Sequence, residues 1–232
     1  MTFLRLSALL LFSAFSLCAH ADPLVVDFLK VLPPPPADDS PAGMADLDTV
    51  LGVQLGRTEA QVKEAHRVER QSPTSFARPV FGEWFHSRDF PKTLEAIHRI
   101  ERRAGPVCDA AKAHWDRARP YERDAGVEPV VSHPGNASYP SGHSFGAAMW
   151  GFIFSKAFPD KAEAFQREVH KAMWGRVLGG AHYPSDTEAG LLLAQAVGRE
   201  LAKDSEFDQA IRQIRREVGP HLKKQARKPA HP

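Results

Sequence analysis

Cysteine is scarce in this chain of 232 residues: there are two, Cys18 and Cys108. Cys18 falls in an N-terminal stretch that reads as a removable export signal, so the mature chain keeps Cys108 alone. One thiol closes no intrachain disulfide. Cys108 is expected to behave as a small buried apolar residue, and an exported protein of this kind must be held together by its core. Long apolar runs are also missing beyond that signal. The longest, Phe145 to Phe154, is ten residues, about half the ~20 that a bilayer span needs. No alternating strand pattern of any length is present, and no internal repeat. Charge of one sign is lacking too: 30 Lys and Arg against 28 Asp and Glu leave a net +2, too balanced to suggest a nucleic-acid partner.

What the chain does have begins at its N-terminus. Arg5 supplies a positive region, Leu6 to Leu17 is mostly apolar, and Ala19-His20-Ala21 offers a small-residue cleavage site before Asp22. Residues 1–21 are therefore expected to be a signal peptide, which places the mature protein in the periplasm or outside the cell. Bulky Leu17 before Cys18 argues against lipid attachment. Residues 22–44 form an extended arm around the proline run Leu32-Pro33-Pro34-Pro35-Pro36-Ala37, which cannot be helical. Residues 45–220 form the main domain. Residues 221–232 read as a basic, solvated tail around Lys223-Lys224-Gln225-Ala226-Arg227-Lys228.

Within the domain the patterns are helical. Ala45 to about Arg70 is amphipathic, with Gly56 as a break. Ser72 to Phe90 reads as loop with short helix. Pro91 suits a first helical position and starts a helix to Arg103, and Pro106 opens another to about Arg117. Tyr121 to Tyr139 is loop. Ser144 to Ala157 is an apolar, buried helix, and Lys161 to Leu178 an amphipathic one. Ser185-Asp186-Thr187-Glu188 reads as a capping box starting a helix to about Lys203, and Ser205 to Val218 is the last. The class is all-α, a single-domain helical bundle. Asn136-Ala137-Ser138 fits a glycosylation acceptor by pattern alone, relevant only in a eukaryotic secretory pathway.

Three short segments carry chemistry. Pro140-Ser141-Gly142-His143 follows a loop and precedes a helix, where unpaired N–H groups and the dipole favour an anion. Gly142 leaves room for it to approach. Alternatively, Ser141 merely caps the helix. In the second segment, Arg176 nears a helix end at Gly179-Gly180, His182 sits in the connection and Asp186 in the next first turn. Asp186 can accept the Nδ1 proton of His182 and leave Nε2 as an outward base or nucleophile. Alternatively, Asp186 is a helix cap beside an exposed histidine, or the pair ligates a metal for which no third ligand stands out. In the third, Lys112 lies on a helix and Arg119 just beyond its end before Pro120. An arginine fork and a lysine point charge suit phosphate oxygens, although solvated side chains would look the same.

Order and spacing make these segments one signal. The pattern Lys112-x6-Arg119-Pro120, Pro140-Ser141-Gly142-His143 and Arg176-x5-His182-x3-Asp186 resembles the phosphatidic-acid-phosphatase type 2 (PAP2) superfamily, with Gly175 where the family usually has Ser. The signal stretch, the proline arm, Ala110 to Trp115 and Ser138-Tyr139 ahead of Pro140 resemble bacterial class A nonspecific acid phosphatases. The resemblance implies an all-helical domain of the PAP2/haloperoxidase type that needs no cofactor and no metal. It makes His182 a nucleophile that forms a phosphohistidine, Asp186 its orienter and His143 the general acid. Lys112, Arg119 and Arg176 bind phosphoryl oxygens with Ser141 and the Gly142 N–H. Gly175 puts one hydroxyl contact to phosphate in doubt. The expected partners are small phosphomonoesters, with phosphotransfer as a side activity and a homo-oligomer left open. The competing readings are a vanadate-holding haloperoxidase, a membrane lipid phosphatase and a non-catalytic anion-binding module.

Overall fold

The structure is a computed structural model that describes residues 24–226. The expected signal peptide, its cleavage site and Cys18 lie outside the described residues, as does the tail beyond Ala226. Ten α-helices follow in order: α1 Phe28–Val31, α2 Pro41–Leu55, α3 Glu59–Glu69, α4 Pro73–Phe81, α5 Pro91–Trp115, α6 Pro120–Arg123, α7 Gly142–Ala157, α8 Ala162–Leu178, α9 Pro184–Leu201 and α10 Ser205–Ala226. Among the described residues there is no strand, and no helix is long and apolar enough to cross a membrane.

Local signals set most boundaries. Ser40 and Thr58 accept hydrogen bonds from the backbone N–H three residues on, and cap α2 and α3. Gly56 separates these two helices, where the break was expected. Pro91 occupies the first turn of α5.

Several boundaries differ from expectation: α1 and the first turn of α2 fall within the expected extended arm 22–44, and α6 runs into the expected loop from Tyr121 to Tyr139. Helix α5 runs unbroken from Pro91 to Trp115, with Pro106 inside it. The expected division at Pro106 fails because the stripe Ala96, Ile97, Ile100, Ala104, Val107, Cys108 and Ala111 is buried along the whole length. Burial of that stripe outweighs one lost backbone hydrogen bond. Helix α9 begins a turn-edge earlier than the expected box at Ser185. Its cap residue is Tyr183, whose N–H donates to Asp186 Oδ2 at 2.9 Å. Helix α10 continues past Val218 and through Pro220 to Ala226.

Helix α7 is the centre of the bundle and packs against α8, α9, α5, α10 and α4. Its apolar run buries Phe145, Met149, Ile153 and Phe154. Aromatic rings fill the space around it: Phe81 meets Phe85, Phe154, Phe158 and Phe165 edge to face, with centroids 5.0 to 5.4 Å apart. Trp84 and Trp150 pack on this core from its edge, and Phe85 lies within it. Cys108 is buried, and desolvation pushes its thiol up to about 12, so it stays protonated and inert.

One close approach positions the site. A Cβ on Gly190 of α9 would stand 2.5 Å from the Ser141 carbonyl oxygen and 3.0 Å from the Phe145 nitrogen. Only glycine lets α9 lie directly on the N-terminus of α7, which joins the Pro140–His143 segment to the segment holding His182 and Asp186.

Candidate active site

The three chemical segments meet where the end of α5, the start of α7 and the α8–α9 connection converge. Lys112 sits in the last turn of α5 and is buried. Its Nζ donates to the carbonyl of Ala137 at 2.5 Å and that of Ser138 at 3.4 Å. Burial pushes its ammonium down to about 8. Gly142 lies beside it: a Cβ there would stand 3.5 Å from Lys112 Cε, an ordinary contact.

Arg119 precedes α6 and is 1% exposed. Its Nε donates to Asn136 O at 2.9 Å, one Nη2 bond goes to Asn136 Oδ1 at 2.8 Å, and Nη1 reaches Ala181 O at 2.8 Å. The same Nη1 lies 3.2 Å from His182 Nε2. A guanidinium has only donors, so Nε2 accepts and carries no proton. The proton of neutral His182 is therefore on Nδ1, which faces Asp186 Oδ2 at 3.4 Å and Ser138 Oγ at 3.3 Å. His182 is buried, and desolvation pushes its pKa down to about 3, with Asp186 opposing and Arg119 and Arg176 adding to the shift.

Asp186 is the hub. Its Oδ2 accepts from Ser138 Oγ at 2.6 Å and the Tyr183 N–H at 2.9 Å, and its Oδ1 accepts from Arg117 Nη1 at 2.7 Å. Full burial favours the neutral acid, but His182, Arg117 and Ser138 outweigh it and hold the carboxyl below its usual range. Its backbone carbonyl accepts from the Ser141 N–H at 2.9 Å, a direct tie between the Pro140–His143 segment and the segment holding His182.

Ser141 caps α7: its Oγ accepts from Ser144 N–H at 3.3 Å and Ser144 Oγ at 3.0 Å. The hydroxyl keeps its own hydrogen to donate. His143 is half-buried, with Nε2 3.1 Å from the carbonyl of Glu69. Burial, then the charge of Arg176, pushes it down to about 4. Arg176 in the last turn of α8 is 0% exposed, and its Nε and Nη1 have no hydrogen-bond partner among the described residues. Burial and Arg119 push it down to about 10. A buried guanidinium with unpaired donors beside two histidines is a cradle for an oxyanion. Among the described residues no cluster of three or more His, Cys, Asp or Glu side chains is arranged for a metal.

Several members of the site were not anticipated. Arg117 bridges Asp186, Ser185 and, at 2.9 Å, Asp46 of α2. Its guanidinium stacks over Tyr183, 4.1 Å from the ring centroid, and that tyrosine is fully buried. Trp174 is 45% exposed on α8. Asn136, noted as a glycosylation pattern, positions Arg119. Ser138 and Glu69 hold the two histidines. In the sequence, Arg117 had one signal, its place two residues before Arg119. Asp46 and Glu69 had none, because their partners lie 71 and 74 positions away.

A PAP2 superfamily model matches residues 103–207. All three segments fall inside the matched stretch. Over a longer stretch, the chain is similar to the non-specific acid phosphatase of Salmonella typhimurium, 27% identical over 195 residues, which are 81% of this chain and 78% of that protein. It is also similar to the lipid A 1-phosphatase of Rhizobium etli, 37% identical over 95 residues, 38% of this chain and 40% of that one. Among solved structures, a bacterial vanadium-dependent iodoperoxidase shares the fold, with a TM-score of 0.60 at 21% identity. The match covers 78% of this chain and 55% of that one.

Proposed function

We propose that this protein is an acid phosphatase that hydrolyses phosphomonoesters of varied alcohols through a phosphohistidine on His182. The observation that carries the reading is the bond from Arg119 to His182 Nε2, at 3.2 Å. It marks that nitrogen as the unprotonated one, turned toward the cations rather than toward Asp186. Arg176, Arg119 and Lys112 take the phosphoryl oxygens, with the Ser141 hydroxyl and the Gly142 N–H. Fixed cations stabilise the charge on the equatorial oxygens in the transition state. The Nε2 lone pair of His182 forms a bond to phosphorus as the ester P–O bond breaks, and the departing oxygen takes a proton from His143. Asp186 balances the positive ring. Water then attacks the phosphohistidine, gives a proton back to His143 and releases orthophosphate. An alcohol in place of water gives phosphotransfer.

This set of groups needs no metal to complete the cradle, and chelators are expected to leave the rate unchanged. An acid-side optimum follows from His143. Burial and Arg176 hold it near 4, and a phosphoryl dianion against Arg176 raises it into the working range. The N-terminal residues support export to the periplasm or beyond.

The test is rapid quenching with a labelled phosphomonoester. Wild type should hold label on protein, stable in base and labile in acid, and His182→Ala should hold none. Equal labelling of both proteins, or an activity maximum near pH 9, would sink the reading.

A further inference from the structure

Glycine at position 175 has a structural counterpart. A Cβ there would stand 2.7 Å from Val68 Cγ2 and 3.1 Å from Val68 Cβ. Val68 is fully buried in the last turn of α3. The residue after it is Glu69, whose carbonyl lies 3.1 Å from His143 Nε2. We propose that Glu69 is the positioning residue of the general acid: its backbone carbonyl fixes His143 as the Nε2–H tautomer, and Gly175 is what lets α3 come close enough to do so. The proposal rests on the phosphatase reading above and names how its acid is aimed.

The chemistry is direct. A carbonyl oxygen only accepts, so Nε2 must carry the hydrogen. Nδ1 is then the sole nitrogen of His143 that can gain a proton and give it to the departing oxygen. The end of α3 is held on three sides. Val68 packs into the space a side chain at 175 would fill. Arg67 Nη2 lies 3.6 Å from Glu168 Oε2 on α8. The Glu69 carboxylate accepts from Ser132 N–H at 2.6 Å and Ser132 Oγ at 2.5 Å, in the loop that leads to Asn136 and Ser138. The hydroxyl expected at position 175 is thus traded for a backbone acceptor on the acid.

A serine at 175 must push α3 outward and take the Glu69 carbonyl away from His143. Such a fault should appear only where the leaving group needs a proton. Gly175→Ser is expected to lower kcat/KM for an alkyl phosphate such as glycerol phosphate at least tenfold more than for p-nitrophenyl phosphate. Val68→Ala together with Gly175→Ser should restore most of the difference. Glu69→Ala, which frees the anchor to Ser132, should act in the same direction. Equal losses on both substrates, or no loss, would overturn the proposal. If Gly175→Ser does not fold, nitrogen NMR of wild type decides, with the His143 signal assigned by its loss in His143→Gln. The Nε2–H form is expected, and Nδ1–H would refute it. Should wild type hydrolyse neither ester, the phosphatase reading has failed, and the tautomer still tests this one on its own.

Discussion

At the scale of single residues, Arg117 bears most on the site without facing the substrate. It is buried and joins two carboxylates, Asp186 and Asp46, that would otherwise stand uncompensated in the core. Removing one partner of a buried ionic cluster costs about 3–5 kcal/mol. Arg117→Ala should therefore lower stability by about that amount in chemical denaturation, and it should lower kcat as well, because Asp186 would no longer be held where His182 needs it. A variant with unchanged stability would show that the cluster is solvated in solution. The sequence could suggest that Asp186 acts on His182, four positions away. It could not reveal that Arg117, Ser138 and the Tyr183 N–H share the same carboxylate, because that competition is decided by three separate segments. The roles expected for Lys112 and Arg119 also acquire detail here. Both are bonded to backbone carbonyls, which fix their charges in place.

At the scale of elements, the decisive contact is α9 on α7. Ser141, Asp186 and the two helix starts share one corner because Gly190 brings the helices to within side-chain-free distance. Gly190→Ala must separate them, an overpacking that costs about 1–3 kcal/mol. It is expected to cut kcat more than tenfold while far-ultraviolet circular dichroism stays helical. Full activity in that variant would mean that the corner can relax without moving Ser141. Helix boundaries were legible where a local residue sets them, as at Gly56 and Pro91. They were misjudged where packing overrides a local preference, as at Pro106, or where the acceptor is itself a site residue, as with Asp186 and the Tyr183 N–H.

At the scale of the whole molecule, burial of the site couples the fold to pH. His143 and His182 are pushed down to about 4 and about 3, below the ordinary histidine value near 6.5. The unfolded chain therefore binds more protons than the folded one between pH 6.5 and about 4, and stability falls as pH drops through that window. Each such histidine adds about 1.4 kcal/mol per pH unit to the slope. Melting curves in phosphate-free buffer should show the fall, and His143→Gln should flatten it. An identical slope in that variant would place His143 in solvent. The sequence by itself determined the helical class, most helix positions and the residues that converge on the candidate site, because periodicity, caps and motif spacing are local and chemical. Only the tertiary structure decided which groups face the nitrogens of each histidine and what holds Asp186. It also showed why position 175 is glycine. Those outcomes depend on groups brought together from distant parts of the chain, and spacing along a sequence does not encode the hydrogen-bond geometry between them.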